Sequence, residues 1–98
     1  MDRTGILKQA NEYITKDRQA THGSPEDNFR IIGQFWSAYL NYQIKPTDVA
    51  MMMALLKVAR YRNNPSHEDN AIDLAGYAAI AGELGALSES RTASQVHE

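Results

Sequence analysis

From Val49 to Ala59 the chain reads VAMMMALLKVA, eleven residues whose only polar side chain is Lys57. A helix that is apolar around its whole circumference belongs inside a fold. Any charge it carries there must be paired or put to use. This segment therefore demands a central helix covered by its neighbours, and it directs attention to Lys57 and to Arg60 three residues on. Across the Asn63-Asn64-Pro65 break come His67, Glu68, Asp69, Asn70 and Asp73. Two helices folded back on each other there would set a basic row against an acidic one.

The rest of the chain reads as helices around that pair. Ile6, Leu7, Ala10, Tyr13 and Ile14 recur at helical spacing and predict a first helix from about Thr4 to Asp17. The connector that follows, ending in His22-Gly23, has no periodicity. Ser24-Pro25-Glu26-Asp27 is a start signal, with a hydroxyl cap, proline in the first turn and acids against the helix dipole. The second helix is expected to reach about Tyr42 and to bury Phe29, Ile32, Trp36, Tyr39 and Leu40. Pro46-Thr47-Asp48 opens the third, which runs to about Arg62, and Ser66-His67-Glu68-Asp69 caps the fourth, which ends near Leu87. Nothing alternates with the period of a strand. The expectation is an all-α, compact antiparallel bundle of four helices, one domain over 1–87, with a flexible polar tail over 88–98.

Composition narrows the function. A net charge of −2 offers no bulk attraction for nucleic acid. The absence of cysteine excludes disulfides and thiolate metal sites. No run approaches the length of a membrane span, so a cytoplasmic protein is expected. Glycine-rich phosphate loops, serine nucleophile elbows and His-Glu-x-x-His pairs are missing from the sequence.

Assembly is the next expectation. The third helix leaves no polar stripe for solvent, and the fourth carries Ala71, Ala75, Ala78, Ala79, Gly82, Gly85 and Ala86, over which another backbone could pass closely. Tight packing within one chain and a subunit interface both satisfy this pattern, and a homo-oligomer is expected.

Three outcomes are open for the charged constellation. Lys57 or Arg60 on Asp73 would be an ion-pair lock between helices. Arg60 as a planar fork and Lys57 as a point charge would instead suit a phosphate group. Asp69, Asp73 and Asp48 would suit a hard divalent cation, magnesium or manganese. His22 and His67 are candidates for ligand contact near neutral pH, with Asn70, Tyr77 and Trp36 as further candidates flanking the site.

His22-Gly23, Asn28-Phe29, Trp36, Asp48-Val-Ala-Met-Met, Leu56-Lys57-x-Ala-Arg60 and His67-x-Asp-Asn-x-x-Asp73-Leu-Ala-Gly-Tyr77 together resemble a family of small phage and prophage proteins with no assigned activity. The resemblance covers roughly residues 22–84. More distantly, the acidic helix ending in Asp-Leu-Ala-Gly-Tyr is similar to half of the site in all-α nucleotide pyrophosphohydrolases of the MazG type. Those enzymes hold magnesium between two acidic helices. Here Asn70-Ala-Ile-Asp73, with Asp69 beside it, matches one half, and the other half is missing. The resemblance implies a nucleotide or a nucleotide-derived signalling molecule as ligand, captured by a phage-type oligomer inside the bacterial host. A divergent metal-dependent pyrophosphohydrolase and an adaptor for a host protein are the alternatives.

Overall fold

The computed structural model describes residues 1–17 and 23–97, with side chains for 1–16 and 23–87. Four α-helices account for the fold: α1 (Arg3–Glu12), α2 (Pro25–Leu40), α3 (Pro46–Asn63) and α4 (Glu68–His97). A π-helical turn, Tyr13–Asp17, extends α1. There is no strand among the described residues, and the all-α expectation holds.

The starts of α2 and α3 follow the sequence, and the end of α2 is set by a single residue. The Ser24 hydroxyl accepts the Asp27 N–H at 3.2 Å ahead of Pro25. α2 stops at Leu40 rather than Tyr42 because Asn41 turns left-handed, φ 53°, a conformation asparagine tolerates better than most residues. The Ser37 hydroxyl then accepts the Ile44 N–H at 2.7 Å and donates to the Ile44 carbonyl at 3.3 Å. That pins the turn onto the last turn of α2. Pro46 opens α3, where Asp48 accepts the Lys45 N–H at 2.9 Å. In α1 the ladder widens into the π turn where the Thr15 hydroxyl donates to the Asn11 carbonyl at 2.6 Å, competing with the backbone for that acceptor. Ser66 does not cap α4. Its hydroxyl donates to Asn64 Oδ1 at 3.0 Å within the turn. The backbone of α4 carries on past Leu87, where the composition turns polar, to His97.

α3 and α4 form an antiparallel hairpin at the centre of the fold. Lys57 meets Asp73 near the turn, and Thr47 Oγ1 donates to the Ala81 carbonyl at 3.3 Å far from it. α2 packs on α3, and α1 packs on α4. The core gathers Phe29, Val49, Ala50, Ala54, Tyr77, Ile80 and Ala81, with Trp36 and Ile14 packed against it. The α1 side closes where Ile14 comes down on Gly76; a Cβ at Gly76 would meet Ile14 Cγ2 at 3.0 Å.

Two expectations are corrected here. The third helix is central in the chain but is covered on one side only: Met51, Met52, Leu55, Leu56, Val58 and Tyr61 are exposed. α2 and α4 pack on one side of it, and among the described residues the other side stays exposed. Tyr39 and Leu40 are also exposed rather than buried, Tyr39 at 90%.

Glycine has a steric role at one point in the hairpin between α2 and α3. A Cβ at Gly33 would stand 2.9 Å from the Ile44 backbone carbonyl, which the Ser37 clamp holds in place. Gly33→Ala is expected to cost about 1–3 kcal/mol. Gly82, whose Cβ would meet nothing within 4 Å, supplies the opposite sign. Gly82→Ala should add up to about 1 kcal/mol through helix propensity. Urea denaturation of the two variants checks the contrast.

Candidate functional site

Lys57 projects from α3 onto α4, where its Nζ lies 2.8 Å from Asp73 Oδ2. The side chains are 13% and 17% exposed. Of the outcomes open for this constellation, the ion-pair lock is the one the geometry contains. Arg60, three residues on, is exposed and joins no ion pair among the described residues. Its guanidinium is therefore available at the surface beside the locked pair.

The carboxylates do not gather. Asp48 is nine residues before Lys57, about 13 Å along α3, and serves the start of its own helix. Asp69 is exposed in the first turn of α4, with His67 Nε2 3.8 Å away. No group of three or more His, Asp or Glu side chains with metal-ligand spacing occurs among the described residues. Asp48, Asp69 and Asp73 thus do not fit a shared divalent cation, and Asp73 is already committed to Lys57. His67 lies in the turn, where its N–H donates to the Asn64 carbonyl, and Asn70 is buried one turn before Asp73. At the start of α4, Glu68 receives the Met1 ammonium at 2.7 Å, a contact that raises the ammonium's pKa and ties α1 to α4. His22 lies outside the described residues.

A groove of about 420 Å³ runs between α2 and the α3–α4 hairpin. Its walls include Asn28, Phe29 and Ile32 from α2, Met53 from α3, and Tyr77 and Ile80 from α4. Phe29 and Tyr77 form its floor, with ring centroids 6.1 Å apart and planes tilted by 37°. Met53 precedes Lys57 by one turn, and Tyr77 follows Asp73 by one turn, so the charged pair lies one turn along from the apolar walls. Of the expected aromatics, Tyr77 lines this groove, whereas Trp36 packs against the core. Asn28, Phe29 and Met53 were not singled out as site residues by the sequence. The available signal was Asn28 on the inward row of α2 with Ile32 and Trp36, a polar side chain where the period calls for an apolar one.

Fold and site together define a small all-α protein built on a central helical hairpin, with an aromatic-floored groove and, one helical turn along the hairpin from its walls, a half-buried lysine–aspartate pair. The family model described as "Domain of unknown function (DUF6378)" matches residues 5–85, and the chain belongs to that family. The match runs from within α1 to within α4 and takes in every groove residue named above. The Gene 55 protein of Mycobacterium phage L5 is 37% identical over 87 residues, covering 88% of this chain and 56% of the relative. The Gene 55 protein of Mycobacterium phage D29 is 40% identical over 73 residues, covering 74% and 48% respectively. The chain spans about half the length of these phage relatives. No solved structure matches it. Among the described residues no helix is long and apolar enough to cross a membrane.

Proposed function

We propose that the chain binds a nucleotide or nucleotide-derived signalling molecule in the groove between α2 and the α3–α4 hairpin. The observation that carries this reading is an apolar groove of about 420 Å³ whose wall residue Met53 is followed along α3 by Lys57 one turn on and Arg60 two turns on. That volume falls within the range of about 300–1,000 Å³ common for small-molecule sites. The apolar body of a base would occupy the walls of Phe29, Ile32, Met53 and Tyr77, with Asn28 reading its polar edge. Phosphate oxygens would draw the Lys57 ammonium partly from Asp73 and add the Arg60 fork, which suits a planar, bidentate contact.

The distant resemblance to all-α nucleotide pyrophosphohydrolases supports the same ligand class. Binding ranks above hydrolysis because the carboxylates such chemistry needs stand apart. In a family with phage members, capture of a host signalling nucleotide is the use this site would serve.

Native mass spectrometry of the purified protein, followed by analysis of heat-released small molecules, tests the reading. A phosphorylated nucleoside compound should be carried by the wild type. Asn28→Ala and Arg60→Ala should each weaken its binding at least tenfold, and Arg60→Ala, at an exposed position, should leave the melting temperature within a few degrees. A protein that carries no such compound, and binds none from a panel of nucleoside triphosphates and cyclic dinucleotides, would sink the proposal.

A further inference from the structure

The uncovered side of α3 is ordered in a way that specifies its partner. Asp48, Met51, Leu55, Val58 and Arg62 follow one another at spacings of three, four, three and four, the repeat of a seam between two packed helices. The middle of the row is apolar and exposed, with Leu55 at 59%. Asp48 closes one end and Arg62 the other. Both stand seven residues from Leu55, about 10 Å along the axis in each direction. Met52 and Val58 likewise stand three residues on either side of it.

We propose that this row is the interface of a homodimer in which α3 packs antiparallel on α3 of a second copy, about a two-fold axis passing at Leu55. In that arrangement Leu55 faces its own counterpart, Met52 of each copy faces Val58 of the other, and Asp48 faces Arg62 twice. A parallel pairing would set Asp48 against Asp48 and Arg62 against Arg62, and the repulsion disfavours it. The charge order along the helix therefore selects both the occupant and its direction.

Met51, Met52, Leu55 and Val58, on and beside this row, are 48%, 40%, 59% and 46% exposed, and the two-fold arrangement brings all four against their counterparts. Met51 in the row and Met52 beside it adapt to a facing surface more readily than branched residues do. The composition of the core points the same way. Among the described residues, four of the nine buried apolar ones are alanines, while Met51, Met52, Leu55 and Leu56 of α3 are exposed. This interface does not depend on what the groove binds.

Sedimentation velocity on the full chain tests the dimer. The expected mass is twice 11.0 kDa, and Leu55→Glu, which sets two carboxylates face to face, should return it to the monomer with its helical circular dichroism unchanged. The chain has no cysteine, so single cysteines report direction even where the glutamate variant fails to fold. Met52→Cys mixed with Val58→Cys should cross-link to each other at least fivefold faster than either does to itself. Tyr39→Cys, on α2, should remain uncross-linked. A wild type that sediments as a monomer, a dimer that survives Leu55→Glu, or preferential self-cross-linking of Met52→Cys would each overturn the proposal.

Discussion

Lys57→Met is expected to lower the stability of the fold by about 2–4 kcal/mol, somewhat below the loss seen when a fully buried pair is broken. The carboxylate of Asp73 would be left in a site that is 17% exposed, with its partner gone and little water to replace it. For a domain of this size the corresponding fall in melting temperature is roughly 10–20 °C. Asp73→Asn strands the ammonium instead and should cost a similar amount. The double variant Lys57→Met/Asp73→Leu removes both charges and should recover most of the loss, because a packed apolar pair replaces a desolvated ionic one. Thermal unfolding followed by circular dichroism measures all three. A loss below about 0.5 kcal/mol for the single variants would place the pair with ordinary surface bridges, and the lock would have to be abandoned.

The second large effect concerns the floor of the groove. Phe29 is buried, and its ring tilts against Tyr77 at 6.1 Å. Phe29→Ala should cost about 3–5 kcal/mol, the sum of lost transfer energy and the cavity left behind. Because the same ring walls the groove, that cavity opens into the groove and does not collapse. Phe29→Leu keeps most of the volume and should cost less than about 1.5 kcal/mol. Chemical denaturation separates the two. Equal losses for alanine and leucine would mean that the ring's shape, and not its volume, supports α2.

Much of this was legible in the residues, because it rests on local chemistry. Ser24-Pro25 and Pro46 announce helix starts through the missing hydrogen bonds of a first turn, and the structure places both starts there. The meeting of Lys57 and Asp73 follows from helical spacing on either side of a short turn. Helix ends were harder to read, since the left-handed Asn41 and the π turn at Tyr13 each depend on one side chain's choice of backbone partner. The groove was hidden for a different reason: its walls come from three helices, and no single period brings Asn28, Met53 and Tyr77 together. The exposure of α3 shows the limit most clearly. An apolar circumference states that a helix needs covering, and it does not state whether the cover comes from the same chain.

Ala10, Ala50, Ala54 and Ala81 are buried where the helices meet, while Phe35, Tyr39 and Leu55 stand outside. This reverses the usual map of mutational tolerance. Inside, the helices approach too closely for a longer side chain, so enlarging any of those alanines forces backbones apart. Outside, the bulky positions can shrink without leaving a void in the monomer. A chain built this way is free to vary its outer face away from the α3 row while its interior stays fixed by want of room.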